Sequence, residues 1–210
     1  MMKMYDISRP LSENTPTWPG DTPFHYHVNW SKQHTGSVNV GSIKMSVHTA
    51  THVDAPFHFD DKGKRMDELD ISIFKGPAVV VDVRGHHIIE RKHVEEAINQ
   101  HHAKRILFRT DAWENEGEFP EQIPTLSLEV IGMLKEMEVP LIGVDLPSVD
   151  VLDSKDLPIH HSLHQANICI LEGIDLREIK EGEYELIALP LKIKGADGSP
   201  VRAVLIENKW

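Results

Sequence analysis

The sequence predicts a mixed α/β fold, a single domain over residues 1–210 with helices packed on a mixed sheet. Three observations carry that expectation. Strand-like and helix-like stretches alternate from about residue 78, the pattern of parallel strands joined by helices. Both ends of the chain carry alternating, extended runs of antiparallel type. No repeat, low-complexity tract or linker divides the chain, and its 210 residues, 40% hydrophobic and 26% charged, are ordinary for one globular domain with a substantial core.

In chain order, "FHYHVNW" and "SIKMSVH" read as extended strands. "AVVVDV" (Ala78–Val83) is a β-branched run suited to a buried strand. "RKHVEEAINQ" places Val94, Ala97 and Ile98 on one helical face. "RILF" (Arg105–Phe108) reads as a strand. Ser127 then caps a helix whose apolar stripe is Val130, Met133 and Leu134. "LIGVD" (Leu141–Asp145) is the next strand, and "HHSLHQAN" a short helix feeding the strand "ICILEG". At the end, "ELIALPLKI" and "VRAVLIE" flank "KGADGSP", a Gly/Asp/Pro cluster suited to a hairpin turn, with Pro190 marking an edge or bulge.

Charge narrows the function. With 22 basic and 33 acidic residues the net charge is −11, which opposes a phosphate-tracking surface and argues against a nucleic-acid partner. Converging carboxylates on such a chain would favour divalent cations. The single cysteine, Cys169, cannot form an internal disulfide and reads as a structural thiol in an apolar run. No signal peptide or membrane span is visible, so the expectation is a soluble, cytoplasmic protein.

The stretch "HTATHVDAPFH" (His48–His58) holds three histidines and an aspartate in eleven positions, where fourteen histidines in 210 residues put fewer than one. Fully extended, His48 and His52 would stand roughly 13 Å apart, too far to share an ion comfortably. Thr49–Ala50–Thr51 must therefore turn for them to meet. Pro56 bars a helix and holds Ala55 extended; an extended tail would then put Asp54, Pro56 and His58 on one side. Two imidazoles and a carboxylate suit zinc or another first-row ion and leave a coordination position open, as catalytic sites do. A polar loop whose histidines bond to backbone is the plainer alternative.

The stretch resembles the His-x-Gly-Thr-His-x-Asp-x-Pro-x-His signature of the cyclase family of metal-dependent hydrolases, and within it the branch that acts on N-formylkynurenine. His48, Thr51, His52, Asp54, Pro56 and His58 fall on the pattern; Ala50 stands where the family has glycine. "DISRPLSENTPTWPGD", "GVDLPSVD", "HHSLHQANICILEGIDL" and "LPLKIKGADGSPVRAVLIE" extend the likeness over most of the chain.

The resemblance implies a compact β/β/α domain that assembles as a homo-oligomer, a dimer. It also implies two divalent ions, zinc or alternatively manganese: one held by His48, His52 and Asp54, the other by Asp54, His160 and Glu172. A bridging carboxylate holds two ions about 3.5–4 Å apart in such sites. His164 lies one helical turn from His160, so spacing alone leaves their roles interchangeable; His161 and His164 are otherwise read as solvated or supporting residues. His58 is implied as general acid/base and Trp18 as the contact for the substrate's ring, with a packing or oligomer role as the alternative for Trp18. Trp30, Trp113 and Trp210 are read as packing or interface residues. No basic group for the substrate carboxylate is identifiable. Two other functions share the pattern: the same machinery acting on an isatin-type lactam or another cyclic amide, and a non-catalytic metal-binding protein.

Overall fold

In the computed structural model, which describes residues 3–101, 104–115 and 117–207, thirteen strands and four helices follow in order. They are β1 (Lys3–Asp6), β2 (His25–Trp30), α1 (Lys32–Thr35), β3 (Val40–Lys44), β4 (His52–Asp54), β5 (Lys75–Asp82), β6 (Ile88–Ile89), α2 (Arg91–Gln100) and β7 (Arg105–Arg109). Then come β8 (Thr125–Leu126), α3 (Leu128–Glu136), β9 (Leu141–Val144), α4 (Pro158–Gln165), β10 (Cys169–Glu172), β11 (Gly182–Ile187), β12 (Gly198–Pro200) and β13 (Val204–Glu207). Nine strands form one sheet in the order β1-β13-β11-β5-β7-β9-β10-β4-β12. Its centre, β5-β7-β9-β10, is parallel, and every pair outside it is antiparallel. The alternating middle of the sequence built the parallel core, and the two ends built the antiparallel flanks, as their patterns predict.

Both faces of the central strands are buried, because successive side chains point to opposite sides. Val79, Val81, Ile106 and Phe108 face α2, α3 and α4 and meet Val94, Ile98, Val130, Met133, Leu134 and Leu163. Ala78, Val80, Leu107, Leu141 and Leu171 face the other way, onto Ile7, Phe74, Ile174 and Leu205. Ser127 caps α3 by accepting from the Val130 N–H, as its position predicts. Trp113 packs in the interior beneath Arg9, whose guanidinium lies 4.0 Å from the ring centroid. Trp210 lies outside the described residues. No described helix is long and apolar enough to cross a membrane.

Two expectations are corrected. The closing segment is not a simple hairpin: β11 and β13 do pair, but "KGADGSP" leaves them and crosses to the far edge, where β12 pairs with β4. Pro190 follows the end of β11 and lies in no strand. The early strands β2 and β3 pair only with each other, as a ribbon outside the main sheet. Tyr26, Val28 and Ile43 share one face of that ribbon, the register shift after Val28 sets Trp30 against Val40, and Trp30 and Ile43 are 62% and 61% exposed. A lone two-stranded ribbon is marginal in water, and an apolar face of this kind marks a contact surface.

Candidate metal centre and active site

The cluster grows from β4 and its two neighbours. His52 and Asp54 lie on one face of the strand while Val53 between them enters the core. Glu172 on β10 sits directly opposite His52, so the two side chains share that face. Gly198 on β12 sits opposite Asp54, and a Cβ there would come within 2.7 Å of the His48 ring. Glycine is what lets that ring lie against the edge strand.

The turn required between His48 and His52 is present and brings their rings to 5.1 Å between centroids. It depends on Ala50 adopting φ 57°, a left-handed conformation that favours glycine. At this point the segments that carry His52 and Glu172 also approach closely: Thr51 Oγ1 donates to the Gly173 carbonyl at 2.6 Å. A Cβ on Gly173 would lie 2.1 Å from the Ala50 oxygen. Ala50→Gly is expected to stabilise the chain by about 0.5–1 kcal/mol, since relief of strain exceeds the added unfolded-state entropy. A thermal melt that shows no rise would mean the turn carries no strain.

Past Asp54 the chain does not stay extended. Pro56 opens a 3₁₀ turn over Pro56–His58, with Ala55 extended at φ −95°, ψ 148° as a residue before proline must be. The turn swings His58 back over His48, ring centroids 3.9 Å apart, whereas an extended tail would have carried it away.

His160 enters from the first turn of α4. Asp150 fixes it there: its carboxylate accepts from the Ile159 and His160 N–H groups (3.1 and 3.0 Å) and from His160 Nδ1 (2.7 Å). Leu157, just before the helix, sits at φ 42°, a strained conformation beside the site.

Asp54 is the meeting point. Its Oδ1 lies 2.9 Å from His48 Nδ1 and 3.4 Å from His52 Nε2, and its Oδ2 lies 3.6 Å from His160 Nε2. Glu172 Oε2 is 3.2 Å from His52 Nε2, and its Oε1 accepts from the Val149 N–H. Two donor groups result, His48–His52–Asp54 and Asp54–His160–Glu172, with the donor atoms of each within 4.8 Å of one another. The sequence thus brings all five residues together. His161 and His164 stay outside: His161 packs edge-on to Phe59, and His164 faces Asp60 at 3.7 Å.

The second nitrogen of each ring is also engaged. His52 Nδ1 donates to the Ala50 carbonyl (2.9 Å), His160 Nδ1 to Asp150, and His48 Nε2 to Asp197 (3.0 Å). Such partners fix tautomer and orientation in metal sites. Asp150 and Asp197 were missed in the sequence. Asp150 lies in the quoted "GVDLPSVD", ten residues before His160, and its own type and place gave the only signal; Asp197 stands 149 residues from His48.

Electrostatics test whether a cation fits. Asp54 and Glu172 are buried, 2% and 3% exposed, and Asp54 Oδ2 has no hydrogen-bond partner. Burial opposes the charged form of every group here. Hydrogen bonds to the carboxylates outweigh it for the imidazoles, lifting His48 to about 9 and His52 and His160 to about 10. Burial and the neighbouring Asp54 raise Glu172, whereas the surrounding imidazoles of His160, His48 and His52 overcome burial and hold Asp54 low. Buried carboxylates demand positive charge; without an ion, protons on the imidazoles supply it. Nitrogen and oxygen donors in this set fit a first-row divalent ion taking the protons' place. His58 differs. Burial and its imidazole neighbours lower its pKa, which favours a neutral ring.

His48, His52, His58, His160 and Glu172 floor a cavity of about 450 Å³. Trp18, Phe119, Pro147 and Leu157 give it apolar walls, with the Trp18 ring edge-on to Phe119 at 5.8 Å. No lysine or arginine is among its lining residues, of those described. Cys169 lies apart from it, its thiol pushed up to about 12 by burial, as suits a structural residue.

A buried His/Asp/Glu donor set with a spare imidazole at the floor of a cavity defines a metal-dependent enzyme. Residues 5–151 match the family described as "Putative cyclase". The kynurenine formamidase of Bacillus cereus is 51% identical over 200 residues, 95% of each chain, and that of Geobacillus thermodenitrificans is 52% identical over the same share. Among solved structures, isatin hydrolase A from Labrenzia aggregata, bound to benzyl benzoate, is 26% identical, with a TM-score of 0.83 over 98% of this chain and 93% of that one. The chain belongs to the cyclase family. His160 and Glu172 lie beyond the matched 5–151, but the 95% coverage by the formamidases leaves room for only a few unmatched residues.

Proposed function

We propose that the chain is an arylformamidase that hydrolyses N-formyl-L-kynurenine to L-kynurenine and formate, a step of tryptophan degradation by the kynurenine route. Half of its residues are identical to proteins named for that activity over nearly the whole chain, against about a quarter for the isatin hydrolase. The observation that carries the chemistry is Asp54, with one oxygen toward His48 and His52 and the other toward His160, beneath His58.

In this reading His48, His52 and Asp54 hold one divalent ion and Asp54, His160 and Glu172 a second, zinc or alternatively manganese. Such ions supply Lewis acidity, which makes a hydroxide nucleophile available near neutral pH and draws charge from the formyl oxygen. His58 takes a proton from the attacking water and returns it to the departing aryl amine. Its place over His48, with a lowered pKa, supports that role. Trp18 and Phe119 wall the substrate's ring.

The test is turnover. Metal-loaded protein should release kynurenine from N-formylkynurenine, followed by absorbance, with a higher kcat/KM than for isatin. Preference for the lactam would favour the isatin-type reading, and metal uptake with no hydrolysis of either the non-catalytic one.

The same reading has one domain working in the cytoplasm, where a lone structural thiol needs no oxidant, as a homodimer. The exposed apolar side chains of the β2–β3 ribbon support assembly. So does its charge, since residues 25–44 hold two lysines and no acidic residue in a chain of net charge −11. Trp30→Glu is expected to halve the molecular mass read by light scattering; a wild-type chain that already runs at 23.8 kDa would end the dimer proposal.

A further inference from the structure

The turn Trp18–Pro19–Gly20–Asp21 carries two unlike groups into the cavity wall. The Asp21 N–H donates to the Trp18 carbonyl at 2.9 Å, and Gly20 takes φ +89°. Proline at the second place and a positive-φ glycine at the third define a type II turn, whose end residues stand within about 7 Å of each other. Trp18 and Asp21 are those end residues, and both line the cavity with His48, His58 and His160. The Trp18 ring is braced on Phe119. An apolar surface and a carboxylate are therefore fixed one turn apart on a stiff segment.

The chemistry of the remaining lining sharpens this. Among the described residues, and apart from the histidines and Glu172 of the floor, Asp21 is the only ionic lining residue, and no lysine or arginine accompanies it. The cavity therefore has a place for a cation beside an aromatic surface and none for a paired anion. Asp21 Oδ1 accepts from the Thr22 N–H at 2.5 Å, which leaves Oδ2 for a ligand.

We infer that Asp21 is a specificity-determining residue that receives the α-ammonium group of a zwitterionic aryl formamide whose ring lies against Trp18. This rests on the formamidase reading and adds to it. The cavity selects its substrate by the cationic part of the amino-acid head, and the carboxylate part meets no lysine or arginine among the described residues. Charge-assisted hydrogen bonds and the adjacent aromatic faces both favour an ammonium here.

The experiment compares two substrates on metal-loaded wild type and Asp21→Asn: N-formyl-L-kynurenine, and the same aryl formamide lacking only its α-amino group. Asparagine keeps the oxygen that accepts from Thr22, so the turn survives. KM for N-formyl-L-kynurenine is expected to rise about tenfold with kcat nearly unchanged, and KM for the amine-free compound to stay within twofold of wild type. Asp21→Glu, which keeps the charge, should recover part of the loss for the amine-bearing substrate alone. Equal KM changes for both substrates, or none for either, would overturn the assignment while leaving the activity intact. Wild-type protein inert toward both would overturn the assignment and the formamidase reading together.

Discussion

Replacing Asp54 with asparagine is expected to cut kcat by about 10³-fold or more and to strip metal from the purified chain. The two oxygens of this carboxylate face different partners, His48 and His52 on one side and His160 on the other. Asparagine keeps one oxygen, turns the other into an NH₂ that cannot ligate, and removes the charge three imidazoles lean on. The side chain keeps its shape, so the buried strand should still form, and circular dichroism should match wild type. Metal content per chain and turnover are read together. A chelator should lower the melting temperature of the metal-loaded wild type and leave the variant's unmoved, because only a bound ion adds stability. An asparagine variant with full metal content and full turnover would remove the shared carboxylate from the mechanism.

His58→Ala should produce the opposite pairing of results. Metal content stays at the wild-type level, while kcat falls by about 10²- to 10⁴-fold, the usual worth of a positioned proton-transfer group. KM should change little, since the ring wall is made by Trp18 and Phe119. The comparison decides between two geometries open to this residue. His58 also lies near His48 and Asp197, close enough that the three could hold an ion themselves. If the alanine variant loses metal in step with activity, His58 is a ligand and another group must move the proton.

Much of this was legible in the sequence where the information is local. The helix read over "RKHVEEAINQ" is α2 to the residue, because a 3.6-residue apolar period within ten residues needs no distant partner. The turn between His48 and His52 followed from chain geometry alone. What stayed hidden is long-range. Nothing in "KGADGSP" announces that its aspartate will bond to an imidazole 149 residues earlier or that its glycine will pair with Asp54; the same residues make an ordinary hairpin turn. Asp150 was hidden differently: it lies in a stretch already singled out, yet its role appears only when α4 folds back onto it. The 3₁₀ turn at Pro56 was misread because proline bars a helix from running on through it but not a new turn that starts on it. His160 and Glu172 show the limit from the other side, since their roles came from resemblance and not from spacing.

The crossing of residues 198–200 to the outer side of β4 has a consequence for biosynthesis. Asp54 acquires its edge neighbour, and His48 its Asp197 brace, only from residues made long after them, Asp197 standing 149 positions beyond His48. While the ribosome still covers that stretch, β4 has only β10 beside it and its outer edge stays open. Pairings so distant form late, because loop closure must precede them. The donor cluster is therefore complete only once residues 197–200 have emerged, and loss of that stretch would leave a folded middle without its edge strand.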